Sequence, residues 1–117
     1  AHILAQVALW QGREVYAFTR DGDFAGQAFA RQLGCIWAGG SSDAAPVPLD
    51  AALIFAPVGA LVPVALQAVD KGGTVACAGI HMSDISAFPY ATLWGADRSG
   101  LKPSVRLYPL DQANDAL

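Results

Sequence analysis

Thr19 and Arg20 stand side by side at the end of a β-forming run, Gly12-Arg13-Glu14-Val15-Tyr16-Ala17-Phe18-Thr19. A neutral hydroxyl followed by a guanidinium suits a sugar phosphate, through charge-assisted, bidentate hydrogen bonds. Asp21, one place later, has the reach to meet a ribose. Two more segments could approach a ligand by backbone alone. Ala56-Pro57-Val58-Gly59 is small and uncharged, so its amides and carbonyls can come close to a flat ring. In Ala78-Gly79-Ile80, Gly79 permits close approach and Ile80 offers an apolar wall. The next residue, His81, could act as an acid or base, but a lone loop histidine reads as incidental. His2, opening the first helix, would favour a nearby phosphate if protonated.

No catalytic residue is assigned. Ser41-Ser42-Asp43 and Ser83-Asp84 read as turn chemistry, and no close pair of carboxylates suggests glycoside hydrolysis. Cys35 and Cys77 lie far apart and, with His2 and His81, lack the spacing of metal ligands. The expectation is two buried, reduced thiols in a cytoplasmic protein.

These residues need elements to hold them, and the elements alternate. A helix over Ala1–Gln11 leads to a strand, Glu14–Thr19. Asp23 caps a second helix, Phe24–Leu33, whose face is Ala25, Ala28, Phe29 and Leu33. Gly34 sits where a left-handed residue closes a helix. Cys35–Ala38 reads as a strand, Gly39–Pro48 as a loop, Ala51–Phe55 as a strand and Leu61–Val69 as a helix. Gly72-Gly73 turns the chain into strand Thr74–Ala78. Phe88–Trp94 is a short strand or helix. Strands alternating with helices imply an α/β fold with a Rossmann-like, doubly wound, mostly parallel sheet. A helix turning at a glycine into a strand is the second half of a βαβ unit, so the expected sheet is truncated. Its first strand and glycine-rich turn are expected to lie outside these residues. In such a sheet ligands bind beyond the carboxyl ends of the strands. Thr19, Ala56 and Gly79 should then share one rim. Thr19 and Arg20 there favour NADP over NAD.

Composition agrees with a buried sheet. Of 117 residues 54% are hydrophobic and 15% charged, with a net charge of −3 and 7 scattered Lys and Arg. That charge argues against nucleic acid. Ala51–Val69 is uncharged and as long as a membrane span, yet Pro57, Gly59, Pro63 and Gln67 divide it into strand, turn and helix. No signal peptide is visible and no membrane partner is expected.

The run from His2 to about Trp94 resembles the cofactor domain of zinc-type alcohol dehydrogenases, the medium-chain dehydrogenase/reductase family. The resemblance is carried by Gly12-Arg13-Glu14-Val15-Tyr16-Ala17, Ala28-Phe29-Ala30-Arg31-Gln32-Leu33-Gly34-Cys35 and Leu49-Asp50-Ala51-Ala52-Leu53-Ile54. Ala65-Leu66-Gln67-Ala68-Val69-Asp70-Lys71-Gly72-Gly73-Thr74-Val75 and Ala78-Gly79-Ile80 extend it. It implies a Rossmann domain that binds NADP or NAD. Thr19 and Arg20 would lie at the adenosine ribose, and Ala56, Pro57, Val58, Ala78, Gly79 and Ile80 beside the nicotinamide. In the family a catalytic zinc polarises an alcohol or aldehyde oxygen during hydride transfer. Its ligands belong to a domain that these residues do not include. The expected layout is a partial dinucleotide-binding domain over 1–95, a linker over 96–104 and a remnant of the return to the catalytic domain over 105–117. The chain alone is then an inactive fragment, with homo-oligomers an open possibility. The alternative is a non-enzymatic Rossmann-like module that binds a nucleotide weakly or a protein partner.

Overall fold

Parallel neighbours need a crossover, and in this chain each crossover is a helix. The computed structural model describes residues 1–96. Helix α1 (His2–Trp10) leads through Gly12, at φ 78°, to strand β1 (Tyr16–Thr19). Helix α2 (Phe24–Leu33) then returns the chain to strand β2 (Trp37–Gly40), which lies parallel to β1. Tyr16 faces Trp37 and Thr19 faces Gly40 across that pair.

The ends of α2 are written in its sequence. The Asp23 carboxylate accepts the Gly26 amide at 2.9 Å, and Gly34 closes the helix at φ 106°. Asp23→Ala should therefore destabilise this half by about 1 kcal/mol, the usual worth of an N-cap. Urea denaturation of the variant checks it. The buried face of α2 differs from the apolar stripe in its sequence. Gln27 and Ala30 are buried, whereas Ala25, Ala28 and Phe29 lie exposed. The stripe includes Phe29, whose ring meets the His2 ring edge-on at 6.2 Å. Residues Ala30, Cys35 and Ala38 form the core, with Ala5, Val15 and Ala17 packed against them.

The second half repeats the pattern. Strand β3 (Leu49–Ile54), helix α3 (Leu61–Ala68) and strand β4 (Val69–Cys77) form a parallel pair with its crossover, and helix α4 (Tyr90–Ala96) packs on α3 and β4. The register jumps between β3 and β4. Leu49 faces Val69 while Ala51 faces Thr74, so Asp70–Gly73 loops out around Gly72 at φ 77°. The expected Gly72-Gly73 turn thus sits inside the strand. Ile54 and Val69 are buried here. Among the described residues no helix is long and apolar enough to cross a membrane. The uncharged run 51–69 resolves mainly into β3 and α3.

The expectation of one doubly wound sheet is met in part, as parallel strand pairs with helical crossovers, and the expectation of two buried thiols is corrected. The strands make two separate two-stranded parallel sheets, β1–β2 and β3–β4. No helix or strand of the first half packs on one of the second among the described residues. Hydrogen bonding between neighbours makes a sheet continuous, and nothing bonds β1 or β2 to β3 or β4. Also, Cys77 is exposed and only Cys35 is buried, because Cys77 ends β4 while Cys35 lies under α2. Helix α4 takes in Ala96, the first residue of the expected linker. The rest of that linker and the expected segment 105–117 lie outside the described residues.

Candidate functional site

At the carboxyl end of β1, Thr19 is fixed by three elements. Its hydroxyl accepts from Gln27 Nε2 at 3.3 Å and lies 3.4 Å from the Gly39 carbonyl and 3.2 Å from that of Arg20. With one proton, it donates to one of these carbonyls at a time. Gln27 is only 8% exposed, and this bond satisfies its buried amide. The Thr19 hydroxyl therefore ties β1 to α2 and β2.

The loop that follows, Arg20-Asp21-Gly22-Asp23, lines an open depression of about 440 Å³. Its carboxylates are engaged by backbone amides. Asp21 Oδ1 accepts the Ser42 amide at 3.1 Å, and Asp23 caps α2. Across from them, Asp43 Oδ2 accepts the Gly40 amide at 2.7 Å. Hydrogen bonds from Ser42 and Ser41 hold the Asp21 carboxyl below the usual carboxylate range. Arg20 is exposed, and among the described residues its guanidinium has no hydrogen-bond or ion-pair partner. Its donors can meet an anion.

The lowered Asp21 pKa has a pH consequence. A carboxyl whose folded pKa lies below its unfolded one stabilises the fold above the unfolded pKa. That contribution is lost as pH falls through the folded value. Stability of the first half should therefore decline as pH drops below the usual carboxylate range. Asp21→Asn should make the decline shallower, as thermal melts across an acid series would show.

The other two segments come together. The Ala78 amide donates to the Ile54 carbonyl at 2.8 Å, extending the β3–β4 ladder past Cys77. The Ser83 amide donates to the Pro57 carbonyl at 3.2 Å, and the Ser83 hydroxyl accepts the Gly59 amide at 2.9 Å. A Cβ placed on Gly79 would lie 3.7 Å from the Pro57 Cα. Ala56, Pro57, Val58, Ala78, Gly79 and Ile80 thus share one end of β3–β4. Ile80 points outward, 91% exposed, so it lines no closed wall.

The common rim expected for Thr19, Ala56 and Gly79 is formed only in part. Gly79 comes close to Pro57, the residue after Ala56, while Thr19 belongs to the other sheet. Three contributors carry no ligand-binding signal in the sequence: Gln27, and Asp43 and Ser83, which read as turn residues. Gln27 had a packing signal, being at helical spacing with Ala30 on the inner face. Among the described residues no group of His, Cys, Asp and Glu converges as a metal ion requires.

Over 90 residues, 77% of its length, the chain is 52% identical to the "Probable alcohol dehydrogenase AdhA" of Mycobacterium tuberculosis. It spans 25% of the length of that relative. The resemblance to alcohol dehydrogenases is shown over this stretch. No family model matches the chain. No solved structure matches it significantly.

Proposed function

We propose, on the premise that this chain is a relative of one quarter of an alcohol dehydrogenase, that it is part of the dinucleotide-binding domain of a zinc-type enzyme of that family. The whole enzyme would pass a hydride between a nicotinamide and a small alcohol or aldehyde, in the cytoplasm. The chain's share is the adenosine end of the cofactor at Thr19 and Arg20. Its second share is a set of uncharged residues near the nicotinamide, Ala56, Pro57 and Val58 with Ala78, Gly79 and Ile80.

One observation carries this reading. At the end of a parallel strand, Arg20 keeps free donors while Asp21, Asp23 and Asp43 are bonded to backbone amides. A ribose with free hydroxyls needs an acceptor, and a 2′-phosphate needs donors. Arg20 favours the phosphate, hence NADP. The bound cofactor would supply the hydride chemistry. The residues described here would bind and orient it.

The two sheets also make sense on this reading. In a doubly wound sheet of order 3-2-1-4-5-6, β1 and β2 take positions two and three, and β3 and β4 positions four and five. A strand between β1 and β3 in the whole enzyme would join them and carry the phosphate-binding turn ahead of α1. The family's zinc does not fit the donors found among the described residues. Cys35 is buried under α2 and Cys77 lies exposed in the other sheet, with no converging histidine. No step is assigned to a metal held by these residues.

Titration with NADPH and with NADH, followed by nicotinamide fluorescence, tests the proposal. Saturable binding with NADPH the tighter ligand is expected. No binding of either at millimolar concentration would overturn it.

A further inference from the structure

The arrangement of Asp21 goes beyond ligand reach. Asp21 is exposed at the rim of the depression, but its Oδ1 reaches across to the loop after β2, where it accepts the Ser42 amide. Room for that reach exists because residue 40 has no side chain. A Cβ on Gly40 would collide with Asp21 Oδ1. Gly40 has no positive φ, so its backbone conformation would accept alanine. The missing side chain is therefore a matter of space for Asp21.

We propose that Asp21 is a positioning residue that sets the cofactor class: tucked against Gly40 and held by Ser42, it leaves Arg20 as the one charged group free to meet a 2′-phosphate. The inference rests on the nucleotide-binding reading above. Swung outward, the carboxylate would pair with Arg20 and offer acceptors to ribose hydroxyls instead. Such an ion pair takes the guanidinium donors and sets a negative charge against the phosphate. Asp23 and Asp43 are each anchored by a backbone amide of their own turn, Gly26 and Gly40, and neither adjoins Arg20 in sequence as Asp21 does.

The test uses adenosine 2′,5′-bisphosphate and adenosine 5′-monophosphate, which report on the adenosine end alone. Calorimetry on the full chain should show the bisphosphate binding more tightly. Gly40→Ala should cut that preference by roughly fivefold or more, the scale of one charge-assisted contact. It should also speed hydrogen exchange at the Ser42 amide. Adding Asp21→Asn to Gly40→Ala should restore the preference, because a released neutral amide does not neutralise Arg20. Asp21→Glu, at an exposed position, gives a second route if Gly40→Ala fails to fold. Its extra methylene displaces the carboxylate from the Asp21 position beside Gly40 and the Ser42 amide, so the preference should fall there too. An unchanged preference in Asp21→Glu or in folded Gly40→Ala would overturn the inference. So would failure of the double variant to recover. If the unaltered chain binds neither nucleotide, the nucleotide-binding reading itself fails and takes this inference with it.

Discussion

Arg20→Ala is expected to weaken NADPH binding by about 1–3 kcal/mol, roughly 5- to 150-fold, while NADH changes by less than about twofold. The asymmetry follows from what surrounds the guanidinium. Arg20 is exposed and holds no partner among the described residues, so its removal leaves no buried group unsatisfied. Its loss should be felt by the adenosine 2′-phosphate, which NADPH has and NADH lacks. Arg20→Lys should recover part of the affinity, since an ammonium keeps the charge but not the paired geometry. Parallel titrations of the variants with both cofactors read the effect. Equal losses for the two would remove Arg20 from phosphate recognition.

Gly59→Ala should have the larger effect on the fold. Gly59 is buried, and a Cβ there would run into the backbone carbonyl oxygens of Ser83 and Asp84. A flexible side chain could swing aside, but two carbonyls of one loop move only if the loop moves. The expected cost is about 1–3 kcal/mol, as for other overpacked sites. Ser83→Ala removes only the hydroxyl that accepts the Gly59 amide, and about 0.5–1.5 kcal/mol is expected. Urea denaturation ranks the two. Hydrogen exchange should show the Ser83 amide, bonded to the Pro57 carbonyl, opening earlier in Gly59→Ala. If Ser83→Ala proved the more damaging, the close approach at Gly59 would not be what holds this end of β3–β4.

Helix α2 was legible because its signals are local. A capping aspartate and a left-handed glycine fix its ends without help from the rest of the chain. The strand β1 and the position of Arg20 at its end were legible for the same reason. Strand β2 was displaced, since Gly39-Gly40 looks like a loop. Those two residues pair because Phe18 and Thr19 lie opposite, and the Trp37 ring leans 4.8 Å from that of Phe18. Only a long-range partner makes them a strand. The apolar stripe of α2 misled in the other direction. Gln27 lies inward, where its amide bonds the Thr19 hydroxyl, while Phe29 stands on the open face of the helix.

What no local pattern could supply is which strands neighbour one another. Each parallel pair is specified by its own crossover helix, so β1–β2 and β3–β4 form independently. Joining them requires an element that hydrogen-bonds to both. The same gap explains the thin core. Ile3, Trp10, Phe24, Ile36 and Leu53 all stand exposed, and no large side chain is fully buried among the described residues. On the proposed reading, their apolar area would lie against the rest of a sheet covered on both faces.

Amide chemical-shift mapping of the chain during addition of NADPH tests the central claim most directly. Shifts concentrated at Thr19–Asp21 and Ser42, with a second set at Ala56–Gly59 and Gly79, are the expected result. Saturation with no change at Thr19–Asp21, or with changes confined to the exposed face of α1 around Ile3 and Trp10, would contradict it.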